Sequence, residues 1–147
     1  TQKQNKILTL SFINDKEVKV MSNELKLVAI RGATCAENTK ESISNATVEM
    51  CNKLFSENNL KTENVVSMQF TLTKDLDEMN PCAALRFSGS NIESSKIPLF
   101  CSQEAYIKNG LPKVIRVLIT TYVEANQDVT HIYINGAEKL RPDFCKK

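Results

Sequence analysis

A chain of 147 residues with 41% hydrophobic and 24% charged side chains has the size and composition of one soluble globular domain, able to bury about two-thirds of its unfolded surface. Its net charge is only +2, with the lysines interspersed among acids, which sets aside nucleic acid and membrane as main partners. The five cysteines, Cys35, Cys51, Cys82, Cys101 and Cys145, include no Cys-x-x-Cys spacing and read as reduced thiols of a cytoplasmic protein. One histidine, His131, leaves little material for a histidine metal site or a Ser-His-acid triad, so neither a metal nor a cofactor is expected.

Residues 1–24 read as an N-terminal extension. Their short apolar run, Ile7 to Ile13, is followed directly by acidic residues and lacks the pattern of a secretory signal, and no stretch of the chain approaches membrane-spanning length. Leu25 to Ile30 reads as a first strand closed by Gly32. Asn38 followed by Glu41 resembles a capping box, after which Ile43, Ala46, Thr47, Met50, Cys51 and Leu54 fall at helical spacing, giving an amphipathic helix that ends near Glu57 to Asn59. Val65 to Thr73 is β-branched and aromatic enough for a second strand. Asn80-Pro81 offers an N-cap and a first-turn proline for a short helix through Phe87, terminated by Gly89. Ile97 to Cys101 is a third strand, Val114 to Val123 a fourth, and His131 to Ile134 a fifth that closes on the turn signal Asn135-Gly136. The order β-α-β-α-β-β-β predicts an α+β domain over 25–138, with helices against one face of a mixed sheet. Residues 139–147 read as a tail.

Alternation along the fourth strand puts Val114, Arg116, Leu118, Thr120 and Tyr122 on one face and Ile115, Val117, Ile119, Thr121 and Val123 on the other. The second set is continuously apolar and must be core. Arg116 points the other way among apolar neighbours, which suits a subunit interface or a lined pocket, and two faces needing cover predict a homo-oligomer. The chain uses fifteen lysines and only four arginines, Arg31, Arg86, Arg116 and Arg141, each beside apolar residues. A planar fork gripping a carboxylate through paired hydrogen bonds is the geometry an ammonium cannot supply, so a compact anion is the expected ligand.

In order along the chain, Ile30-Arg31-Gly32-Ala33-Thr34, Pro81 with Ala84 and Arg86, Cys101-Ser102-Gln103-Glu104, Gly110-Leu111, Ile115-Arg116-Val117, His131-Ile132-Tyr133 and Leu140-Arg141-Pro142-Asp143 resemble the monofunctional chorismate mutases of the bacterial AroH type. The resemblance covers about Leu27 to Asp143. It implies a homotrimeric pseudo-α/β barrel with active sites at clefts between subunits, acting on chorismate in phenylalanine and tyrosine biosynthesis. It also implies roles. Arg116 would touch the ether oxygen and a carboxylate of chorismate; Arg31 and Tyr133 would hold a carboxylate. Glu104 and the backbone at Cys101 would face the ring hydroxyl, Arg86 would add positive field at the mouth, and Leu140 with Arg141 would close over the site from the tail. Ala83 and Asn80 depart from the pattern, standing where a lysine and an aromatic residue are expected.

The implied reaction, chorismate to prephenate, is an intramolecular Claisen rearrangement. One carbon–oxygen bond breaks as a carbon–carbon bond forms, with no proton transfer and no covalent intermediate. It needs a compact conformer of a flexible dianion and positive charge where the ether oxygen becomes electron-rich. Arg116 and Glu104 are therefore the expected catalytic residues, with Arg31, Arg86, Cys101, Tyr133, Leu140 and Arg141 binding substrate. The alternative is a trimeric small-anion-binding protein such as the enamine-deaminase-like proteins. Such a protein has no use for Glu104, Tyr133 and Leu140-Arg141 together with Arg31.

Overall fold

The computed structural model describes residues 24–145, so the N-terminal run Ile7 to Ile13 lies outside the described residues. In chain order the elements are β1 (Leu25–Cys35), α1 (Lys40–Glu57), β2 (Val65–Leu72), α2 (Pro81–Phe87), β3 (Leu99–Gln103), β4 (Val114–Glu124) and β5 (Ile132–Ile134), followed by short 3-10 turns at Ala137–Leu140 and Pro142–Phe144. The strands form one mixed sheet in the order β3-β2-β4-β1-β5. β4 runs antiparallel to both β1 and β2, while β5 is parallel to β1 and β3 parallel to β2. The α+β expectation holds.

The main core lies between one sheet face and the helices. Ile30, Met68, Phe70, Ile115, Val117 and Ile119 from the strands meet Ile43, Met50 and Leu54 from α1 and Leu85 from α2. β4 divides as its alternation predicts, with Ile115, Val117, Ile119, Thr121 and Val123 buried and Leu118 and Tyr122 exposed on the other face. A smaller cluster sits on that other face, where Ala33, Val114 and Ala137 are joined by Leu111, Tyr133 and Leu140.

Two local expectations are corrected. Gly32 does not close β1, which continues to Cys35. A Cβ at Gly32 would lie 2.6 Å from Leu54 Cδ1 and 3.0 Å from Val117 Cγ1, so the glycine lets α1 approach the sheet closely. The N-cap of α1 is Thr39, whose side chain accepts from Ser42 N, and not Asn38. The Asn38 carboxamide instead accepts from the backbone N–H groups of Asp77 and Glu78. Asn80 is the N-cap of α2, accepting from Cys82 N with Pro81 in the first turn. Gly89 follows that helix at φ +68, and the turn after β5 uses Asn135 at φ 56 and Gly136 at φ 97, a left-handed pair that suits asparagine and glycine. β3 begins two residues later than expected, after Pro98, whose carbonyl accepts from Met68 N.

Candidate active site

The strand registers align one row of residues across the sheet. Ser102 on β3 lies opposite Thr71 on β2, Thr71 opposite Arg116 on β4, Arg116 opposite Ala33 on β1, and Ala33 opposite Tyr133 on β5. With strands about 5 Å apart, Arg116 and Tyr133 stand roughly 10 Å from each other on the face away from the helices, with the small Ala33 between them. Arg31 lies on the same face two residues before Ala33. Leu140 packs over the floor made by Ala33, Val114 and Ala137. Pairing of strands distant in sequence thus brings Arg31, Arg116, Tyr133 and Leu140 to one face.

Glu104, just past the end of β3, is held by its backbone N–H to Leu72 O at 2.7 Å. Its Oε1 lies 2.7 Å from Arg116 Nε. The approach is close but poorly aligned with the N–H, which leaves Arg116 Nε without a hydrogen-bond partner, and Glu104 Oε2, the other carboxylate oxygen, also has none; among the described residues they are two of the three buried side-chain polar atoms in that state. Leaving such atoms unsatisfied is costly, and a bound polar molecule is one of the few things that removes the cost. The pair opens onto a cleft of about 210 Å³ whose walls include Lys74, Asp75, Tyr106, Ile107 and Leu111. Lys74 Nζ stands 4.2 Å from the centre of the Tyr106 ring. Neither residue was legible as part of a site from sequence; the only signal was a cation placed directly after a strand.

Across the row, Arg31 and Tyr133 meet the tail. Arg141 makes a two-pronged contact with Asp143, at 3.0 and 2.7 Å, and lies over the ring of Phe144. His131 Nδ1 accepts from Arg31 N at 3.0 Å, so the ring's proton sits on Nε2 and the histidine acts as a strand-end acceptor. Burial, and after it the charges of Arg31 and Arg141, hold its pKa below the usual 6.5. Because the folded state disfavours the proton, this contribution is complete above about pH 6.5 and is lost as pH falls through the window between the unfolded and folded values. Stability of the parent, followed by urea denaturation, should decline across that window, and His131→Asn should flatten this part of the profile. A parent and variant with the same slope would remove His131 from the account.

Arg86 lies elsewhere, and Cys101 has its backbone next to Ser102 of the row but its side chain against the main core. Arg86 is in the last turn of α2, on the helix side of the domain, beside the Phe87 ring. The Cys101 thiol contacts that of Cys82. Their hydrogen bond lowers the Cys82 thiol and, with burial, raises that of Cys101. A raised, packed thiol is a poor nucleophile. Within one chain, then, Arg116, Glu104, Arg31, Tyr133, Leu140 and Arg141 share a face, and Arg86 does not join them.

Among the described residues, the Arg116–Glu104 pair at an open cleft and Arg31 and Arg141 near Tyr133 on the same sheet face give this α+β domain the charge and shape to hold a compact anion. The same conclusion comes from comparison with known proteins. The family model for chorismate mutase type I matches residues 27–144. The chorismate mutases AroH of Bacillus subtilis and Thermus thermophilus are each 38% identical over 118 residues, which span 78% of this chain and 90% and 93% of theirs. A solved chorismate mutase from Clostridium thermocellum superposes with a TM-score of 0.67 at 34% identity, over 76% of this chain and 98% of that one. The chain belongs to the chorismate mutase type I family. It is an isomerase that rearranges chorismate to prephenate, and the alternative of an anion-binding protein without that activity is not favoured.

Proposed function

We propose that the rearrangement takes place in a cytoplasmic homotrimer, at clefts between neighbouring subunits, with Arg116 and Glu104 as the catalytic pair. The observation that carries this reading is the Glu104–Arg116 contact itself, with its two partnerless buried atoms, on the sheet face that also carries Arg31 and Tyr133. Arg116 directs positive charge at the ether oxygen as the carbon–oxygen bond lengthens, and the effect is strongest where the cleft excludes water. Glu104 accepts from the ring hydroxyl and opposes the positive charge growing on the ring. Arg31 and Tyr133 hold carboxylates, and Leu140 with Arg141 covers them, so that the flexible substrate stays in its reactive conformer.

A shared cleft accounts for two further features. Leu25, Leu27, Phe100, Leu118 and Tyr122 are exposed and lie on the same face as Arg116, apolar side chains that a neighbouring subunit would cover. Arg86, on α2, is remote from the Arg116 row of its own chain, while the backbone at Cys101 adjoins Ser102 of that row on the β3 edge of the sheet; a cleft completed by a neighbouring subunit gives Arg86 a site to join. The five cysteines, all free thiols, favour a reducing compartment.

Light scattering combined with activity measured across dilution tests the assembly. The trimer mass should accompany full activity, and specific activity should fall as dilution separates the subunits. A fully active monomer would exclude a shared cleft.

A further inference from the structure

The rearrangement makes no obvious demand for Phe144, an aromatic residue in the tail, yet its ring occupies the point where the carboxylate-binding residues converge. The Arg141 guanidinium carbon lies 3.8 Å from the ring centre and that of Arg31 5.5 Å. Tyr133 stacks against it with ring centres 6.0 Å apart, and His131, which accepts from Arg31 N, meets it at 4.9 Å. Arg31 belongs to β1, Tyr133 to β5 and Arg141 to the tail; the Phe144 ring contacts all three. Two guanidiniums brought to one small site repel each other. The negative face of an aromatic ring attracts both, most strongly where water is partly excluded. Asp143 adds to this by gripping Arg141 through two parallel contacts, fixing the plane of the fork above the ring.

We propose that Phe144 is a positioning residue for chorismate capture. It docks the tail through its π face and holds Arg31 and Arg141 together before the dianion arrives, so that binding need not gather them. The inference rests on the chorismate mutase reading and goes beyond it in giving the tail an electrostatic anchor where simple apolar packing would also close the cleft.

The test separates ring electronics from bulk. Phe144→Leu keeps apolar volume and removes the π face; Phe144→Tyr keeps the π face. Steady-state kinetics on chorismate and calorimetric titration with prephenate, which reports binding without turnover, are measured for the parent and both variants, with thermal unfolding as a check on the fold. Phe144→Leu should raise KM and weaken prephenate binding about tenfold, the combined size of two partly exposed cation–π contacts, with kcat within about twofold of the parent, as loss of pre-gathered binding requires. Phe144→Tyr should restore both values. An active parent with Phe144→Leu unchanged, or with Leu and Tyr equally impaired, would overturn the proposal while leaving the mutase reading intact. Loss of the folded state in Phe144→Leu would also overturn it, because the ring would then be structural support. A folded parent that binds prephenate but does not turn over chorismate would contradict the mutase reading instead.

Discussion

Arg116→Ala and Arg116→Lys should each lower kcat on the order of a hundredfold or more, the magnitude expected when one preorganised donor to a developing oxyanion is removed. The alanine variant loses the charge. The lysine variant keeps it but replaces a planar fork, whose Nε faces Glu104 at 2.7 Å, with a flexible point charge that cannot meet the carboxylate and the ether oxygen together. Arg116 sits on β4 in register with Ala33 and Thr71, and its side chain is about 41% exposed. Its replacement therefore leaves the Ile115, Val117 and Ile119 core untouched and the melting temperature nearly unchanged. Stopped assays with light scattering on the same samples separate lost chemistry from lost assembly. Turnover within a few-fold of the parent for both variants would remove Arg116 from the catalytic role.

The second large effect belongs to Glu104. Because the reaction moves no proton, Glu104 should serve as a fixed carboxylate, not as a general acid or base. Glu104→Gln keeps size and hydrogen bonding but removes charge; Glu104→Asp keeps charge but retracts it. Each should lower kcat about tenfold, with Glu104→Ala approaching a hundredfold. The alanine variant also strips Arg116 of the carboxylate that orients it, so Arg116 and Glu104 losses should combine less than additively in a double-mutant cycle. The chemical step of the parent should show no solvent deuterium isotope effect. A large effect, with product release shown not to limit the rate, would mean that a proton moves in that step.

These residues were legible in sequence to different degrees, for physical reasons. β4 was legible because its period-2 alternation is local and complete over ten residues, so both the core face and the exposed position of Arg116 follow from strand geometry alone. The N-cap and proline of α2 were legible for the same reason. Gly32 was misread as a strand end because a glycine's meaning depends on what approaches it, here Leu54 and Val117 from distant segments. Thr39 displaced Asn38 as a cap because Asn38 is recruited by backbone nearly forty residues away. The row joining Ser102, Thr71, Arg116, Ala33 and Tyr133 depends on register between non-consecutive strands, which composition and periodicity do not encode; the resemblance nominated its functional members one at a time without stating their adjacency. Phe144 carried no signal at all. An aromatic residue near a chain end is ordinary, and its significance arises only once β1, β5 and the tail converge on it. Arg86 teaches the converse: the resemblance nominated it as part of the pocket, and the fold places it on α2, away from the Arg116 face of its own chain.

The central claim is that this chain rearranges chorismate through Arg116 and Glu104, and the most direct measurement is the loss of chorismate absorbance with purified protein, paired with quantification of prephenate. The account predicts saturable conversion with one prephenate formed per chorismate consumed, reduced on the order of a hundredfold in Arg116→Ala at unchanged fold. A folded protein that consumes chorismate no faster than the uncatalysed reaction, or whose Arg116→Ala variant turns over like the parent, would contradict it.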